Sequence, residues 1–298
     1  LVWKRNLDLL EGEEYLANNN LALALSKLGF DDIINKYVYI SPSLIKNTLK
    51  LVPSLWKALN GVGIDLGAGV GAVSSVVATK EEVESIYSLE LTENCVRCCH
   101  PIIKKEILGS NYNKVISVLG DFDNIQLENN SLDFAISWDS MHHSIDLPKT
   151  LQEVRRVLKP GGYFLVIDRG YNNSTTDEEI ERLGNIVYDK EFLINSYLPV
   201  DKILTRKQNG ENDIRFIDKP DTEVSLSLAD DCDCIYFGTL QKSRKVSLKP
   251  GAVKFIKELL MIIEEELITN NKQTRNSFLS KYDKDGNGVL DIVDSGGN

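Results

Sequence analysis

Positive charge is in deficit in this chain of 298 residues. Lys and Arg number 34 against 44 Asp and Glu, a formal charge of −10. Binding a phosphate backbone needs a basic face, so no nucleic-acid partner is expected. Long apolar runs are missing too, and no stretch approaches a membrane span, so no membrane partner is expected. Lys4, Arg5 and Asp8 interrupt any apolar centre that a secretory signal would need in the first ten residues. Cysteine is sparse and odd in number, at five, which argues against a disulfide framework and for a reducing, cytoplasmic setting. Histidine is scarcer still: of three, two are adjacent, His142 and His143.

What is present is ordinary globular texture that changes along the chain. Residues 1 to about 60 read as helical, with Leu44, Ile45, Leu49 and Val52 at helix-like spacing after a Ser41-Pro42 start. From residue 61 short apolar runs alternate with helical patterns. Val62–Leu66, Val83–Leu89, Val115–Leu119, Leu132–Trp138 and Tyr163–Ile167 read as strands. Helices are expected over about 70–79, 92–108 and 147–158. This alternation predicts an α/β fold: a Rossmann-like, mostly parallel sheet with helices on both faces. After Asp168 a helix over about 176–195, a hairpin turning at Gln208-Asn209-Gly210, and antiparallel strands over Val224–Leu228 and Cys234–Leu240 would close a seven-stranded sheet. The expected organisation is an N-terminal helical lid (1–60), a core (61–248) with an insertion at about 171–220, and a C-terminal helical extension (249–298).

The strongest motif is Asp65-Leu66-Gly67-Ala68-Gly69-Val70-Gly71. A strand runs into Gly-x-Gly-x-Gly and then a helix, where glycines let the backbone turn sharply and the helix start offers free N–H groups. The spacing is not that of the dinucleotide fingerprint, which disfavours a nicotinamide oxidoreductase. Glu90 ends the second strand, facing the crevice above the carboxyl ends of a parallel sheet, and can accept from a ribose diol. Asp121-Phe122 follows the third strand, where an acid can accept from an adenine amino group. Ser137-Trp138-Asp139-Ser140-Met141-His142-His143 leaves the fourth, and Arg156-Val157-Leu158-Lys159-Pro160-Gly161-Gly162 precedes the fifth.

In combination these motifs resemble the class I S-adenosylmethionine-dependent methyltransferases, in their small-molecule branch, over about residues 55–170. The resemblance implies S-adenosylmethionine as cofactor. It implies that Asp65, Gly67, Ala68 and Gly69 wrap its methionine part. Glu90 would hold the ribose, Asp121 and Phe122 the adenine, and Ser137 and Trp138 the neighbourhood of the sulfonium. Methyl transfer is then an in-line displacement for which the protein supplies position and electrostatics. His143 and His142 are candidate bases for a hydroxyl acceptor, with Asp139 orienting a histidine. No Asp/Asn-Pro-Pro-aromatic sequence follows the fourth strand, no Pro-Cys nucleophile is present, and no glutamate pair marks an arginine-methylating loop. A small-molecule O-, N- or C-acceptor is therefore expected. The lid and Tyr171, Tyr188, Phe192 and Tyr197 of the insertion are candidates to shape its pocket.

Two further groups of side chains have metal-ligand character. Cys95, Cys98, Cys99 and His100, with Cys232 and Cys234, have a metal-like look, but a buried helix accounts for them more simply. Asp283, Asp285, Asn287, Val289, Asp291 and Asp294 fall at positions 1, 3, 5, 7, 9 and 12 of an EF-hand-like loop with Gly288 at position 6, so calcium is a candidate ligand. Position 12 is Asp rather than Glu, and a shorter side chain reaches less well for bidentate binding. The second functional reading is thus a non-catalytic, cofactor-binding or calcium-responsive regulatory protein on the same fold.

Overall fold

The computed structural model describes residues 1–38, 41–50 and 53–168, single positions between 176 and 194, and the backbone of 235–239 and 242–243. The aromatics proposed for the insertion, Cys232 and Cys234, most of the strands expected after residue 200, the C-terminal helices and the loop Asp283–Asp294 lie outside the described residues.

Five parallel strands form the sheet: β1 (Gly61–Leu66), β2 (Val83–Glu90), β3 (Val115–Leu119), β4 (Leu132–Trp138) and β5 (Leu158–Ile167), in the order β3-β2-β1-β4-β5. Ile235–Thr239 (β6) pairs antiparallel with β5, and Lys242–Ser243 (β7) with β6. The chain order reverses between β1 and β4, so the crevice at their carboxyl ends is the switch point where such sheets take ligands.

Strand alternation divides the core. Phe134 and Ile136 point to one face, packed with Val76, Val77, Ile86 and Ile103. Ile64, Leu66, Ala135 and Phe164 point to the other, packed with Leu151, Val154 and Val157. The first face is covered by α1 (Glu13–Ser26), α2 (Phe30–Ile33), α3 (Pro42–Lys50), α4 (Pro53–Ala58), α5 (Ala72–Ala78) and α6 (His100–Leu108), and the second by α7 (Leu147–Val157). Gly63 is required by this packing: a Cβ there would come within 2.1 Å of the Phe134 ring on the adjacent strand. Asp146 caps α7 by accepting from Lys149 N–H, with Pro148 in the first turn. Ser41 Oγ accepts from Leu44 N–H at the start of α3, as the Ser41-Pro42 signal predicts. Among the described residues no helix is long and apolar enough to cross a membrane.

Three boundaries differ from the sequence expectation. Residues 1–3 are extended rather than helical: Trp3 N–H donates to Leu119 O at 2.7 Å and Leu119 N–H to Leu1 O at 2.9 Å, along the edge of β3. An exposed strand edge offers unpaired backbone groups that outweigh a local helical preference. The fifth strand opens at Leu158, earlier than Tyr163, because Leu158 already pairs with Leu132. The helix expected from about residue 70 begins at Ala72, since Gly71 is left-handed at φ 83°.

Candidate active site

The glycine loop leaves β1 with Gly67, Gly69 and Gly71 at φ 67°, 52° and 83°, conformations that side chains with a Cβ rarely adopt. Its orientation is held by contacts from distant elements. Glu90 Oε2 accepts from Gly69 N–H at 2.8 Å, and Oε1 from Thr92 N–H at 2.7 Å. The Gly69 carbonyl meets His100 Nε2 at 2.9 Å. Tyr37, in a π-helical turn over Ile34–Val38 of the N-terminal region, reaches the same glycine, where a Cβ would lie 3.3 Å from its ring. Gly67 is closed in by Ser140, whose Cβ would be 2.5 Å from a Cβ at that position, with Phe122 at 3.6 Å.

Asp65 lies beneath the loop. It is buried on the α5 side, accepts from Ser74 Oγ at 2.5 Å, and stands level with Ser88 of β2, whose hydroxyl is 2.8 Å from Ser74 Oγ. Burial pushes its pKa up to about 7, although the Ser74 hydrogen bonds pull it down. Glu90 is likewise raised by burial, while hydrogen bonds from Thr92 and Gly69 and the nearby His143 favour its charged form. The two oxygens of Asp121 accept from Asn6 N–H at 2.9 Å and Asp123 N–H at 2.8 Å, so the N-terminal segment is tied to the loop after β3.

The loop after β4 is organised by a residue that the sequence reading passed over. Asp168, fully buried at the end of β5, accepts through Oδ2 from the N–H groups of Ser140 (3.1 Å), Met141 (2.5 Å) and His142 (3.3 Å). Its Oδ1 meets His142 Nδ1 at 2.7 Å. Asp139, expected to orient a histidine, stands farther off, at 3.9 Å from His142 Nδ1. Asp168 is thus the nearer of the two carboxylates to His142. His142 is buried, His143 half-buried, and their rings lie 4.0 Å apart at 45°. Ser137 Oγ and Ser140 Oγ are 2.7 Å apart, and Ser140 Oγ donates to Leu66 O at 2.6 Å, joining the tip of β4 to that of β1. Trp138 is half-buried beside them.

The structure thus brings together Gly67, Ala68, Gly69, Glu90, Phe122, Ser137, Trp138, Ser140 and His143 around the switch point, and places Asp65 below it. His100 and Asp168 were missed as site residues. Asp168 was open to the rule that marked Glu90, an acid at the carboxyl end of a parallel strand.

Asp139, His142 and Asp168 are a cluster of metal-ligand type among the described residues, but Asp168 is committed there to main-chain N–H groups and to His142. Among the described residues the cysteines do not converge. Cys95 Sγ faces Tyr37 Oη at 3.3 Å, Cys98 Sγ faces Asn94 Oδ1 at 3.8 Å, and Cys99 Sγ faces Ala22 O at 3.4 Å. Burial raises the pKa of Cys95 and pushes that of Cys99 up to about 12, so both are protonated and poor metal ligands.

Comparison with known proteins matches residues 64–166, from β1 to β5, to the family described as a methyltransferase domain. The chain is 28% identical over 104 residues to the mitochondrial arginine-hydroxylase NDUFAF5 of Homo sapiens, covering 35% of this chain and 27% of that protein. It is 30% identical over 108 residues to a demethylmenaquinone methyltransferase of Leptospira interrogans, covering 36% and 42%. The chain therefore spans less than half the length of these relatives. Among solved structures, a putative sarcosine dimethylglycine methyltransferase from Galdieria sulphuraria is 21% identical, with a TM-score of 0.42, covering 79% of this chain and 80% of that one.

Proposed function

We propose that this chain, whose residues 64–166 match a methyltransferase domain, is a class I S-adenosylmethionine-dependent methyltransferase acting on a small molecule. One observation carries the reading: a left-handed Gly-x-Gly-x-Gly loop held against a buried strand-end carboxylate, Glu90, at the switch point of the sheet. The residues suit the cofactor. A carboxylate offers about four acceptor sites, and two of those on Glu90 are taken by main-chain N–H groups, which leaves capacity for a ribose diol. When bound, S-adenosylmethionine supplies an electrophilic methyl group on a sulfonium.

In this reading Gly67, Ala68 and Gly69 bind the methionine part, and Asp65 supports them from below. Asp121 and Phe122 bound the adenine end, and Ser137 and Trp138 the reacting end. His143, beside Glu90 and packed on His142, takes the proton where the acceptor is a hydroxyl; Asp168 holds His142, with Asp139 the more distant acid. We propose the lid within residues 1–60, at the segment around Tyr37, together with the insertion 171–220, and a seven-stranded sheet beneath. The contact of Tyr37 with Gly69 supports the lid assignment.

The test is calorimetric binding of S-adenosylhomocysteine, followed by transfer of a labelled methyl group into pooled small metabolites and, in parallel, into protein. Label in a metabolite is expected. Label in protein alone would move the acceptor to a macromolecule. Absence of S-adenosylhomocysteine binding, or binding of NAD in its place, would overturn the reading.

Calcium binding at Asp283, Asp285, Asn287, Val289, Asp291 and Asp294 is proposed from the spacing of the oxygen ligands. A calorimetric calcium titration with Asp283→Ala as control tests it, and no heat at millimolar calcium removes the idea. A reducing, cytoplasmic location is proposed from the cysteines, of which Cys95, Cys98 and Cys99 are free. Five titratable thiols in denatured protein isolated from its native cells is the expected result.

A further inference from the structure

We propose that His100 is a positioning residue for the cofactor, fixing the glycine loop through a hydrogen bond from its Nε2–H to the Gly69 carbonyl. The inference rests on the cofactor reading above and adds a residue to it. The chemistry begins with the partner. A carbonyl only accepts, so the ring nitrogen 2.9 Å from Gly69 O must carry the proton. His100 is then the Nε2–H tautomer, and burial, which lowers its pKa to about 4, keeps it neutral near pH 7. The other nitrogen, Nδ1, is a bare acceptor, fully buried and without a hydrogen-bond partner. An unsatisfied buried acceptor is costly, and an apolar side chain would fill the same space without that cost. The histidine is explained by what Nε2 does.

That nitrogen completes a clamp. The Gly69 N–H donates to Glu90 Oε2 and the Gly69 carbonyl accepts from His100 Nε2, so the peptide groups on both sides of this residue are each held by a side chain. Gly71 fits the same arrangement, because a Cβ there would come within 3.1 Å of the imidazole. The ring reaches the loop because a π-helical turn, Cys95–Cys99, immediately precedes it, with His100 N–H bonded to Cys95 O. Such turns occur mostly as single-turn bulges inside α-helices, frequently at functional sites. The turn is braced by the N-terminal helix α1: Asn94 N–H donates to Asn19 Oδ1 at 2.8 Å, Asn94 Nδ2 donates to Asn19 O at 2.9 Å, and Cys99 faces Ala22 O. A continuous set of contacts therefore runs from the lid, through the π turn and His100, to the loop.

The experiment measures S-adenosylhomocysteine affinity and thermal unfolding of the full chain as wild type, His100→Leu and His100→Gln. Gln places an amide N–H near the position of Nε2, whereas Leu fills the space without a donor. Loss of one such hydrogen bond should weaken binding by about tenfold in His100→Leu, and His100→Gln should recover most of it. Both variants should keep a cooperative melt. Wild-type affinity in His100→Leu overturns the inference, and so does equal loss in both variants. If His100→Leu fails to fold, 15N chemical shifts of the wild-type imidazoles decide instead, and an Nδ1–H tautomer or an imidazolium at His100 at pH 7 overturns it. Failure of the wild type itself to bind S-adenosylhomocysteine removes the cofactor reading, and this role with it.

Discussion

Asp168 accepts a hydrogen bond from His142 Nδ1 at 2.7 Å, in a place where neither side chain meets appreciable solvent. The same carboxylate gathers three consecutive main-chain N–H groups, so one residue at the end of β5 sets the whole turn after β4. Asp168→Asn replaces an acceptor with an amide that turns a donor toward other donors. A buried pair broken on one side is strongly destabilising, and the expected loss is about 3 kcal/mol by urea unfolding. In the wild type, 15N shifts should place the His142 proton on Nδ1. A loss below about 0.5 kcal/mol would show that the pairing is incidental.

Glu90 is held by two main-chain N–H groups and is assigned to the ribose. Glu90→Gln keeps the shape but presents an amide hydrogen to one of those donors. S-adenosylhomocysteine affinity should fall by about tenfold or more, with a lower melting temperature. Unchanged affinity in calorimetry would remove Glu90 from the binding site.

Asp65 links pH to stability. Its carboxyl has a pKa raised from 3.8 to about 7 by burial, so the fold favours the protonated form. Stability from this group is full below the unfolded value and is lost as pH rises through the folded one. Asp65→Asn, which cannot ionise, should lack that slope. The stability of wild type relative to the variant should shrink between about pH 4 and about pH 7 in denaturant titrations, then level off. A constant difference across that window would contradict the assignment.

Gly63 tests the packing under the site. Gly63→Ala puts a Cβ into the Phe134 ring and should cost about 2 kcal/mol, as overpacking of a tight core does. Pairing it with Phe134→Leu should recover part of that loss in a double-mutant cycle. Purely additive losses would mean that the two residues do not meet.

Much of this protein is readable in the chain. The parallel strands, the glycine loop, Glu90 at a strand end and the turn bearing His142 and His143 are signalled by periodicities and by glycines within a few residues of one another. Local backbone preferences and alternating burial act over that range, so sequence neighbours carry the information. His100 was readable only as part of a cysteine-rich helix, because what defines it lies 31 positions earlier, at Gly69. Asp168 and His142 are 26 positions apart, and Asn6 and Asp121 are 115 apart. The extended N-terminus along β3, the left-handed Gly71 that delays α5 and the scattering of three cysteines onto different partners were likewise decided by the assembled sheet. Buried polar groups must find partners wherever the fold places them, and those pairings appear only once distant segments have been packed together.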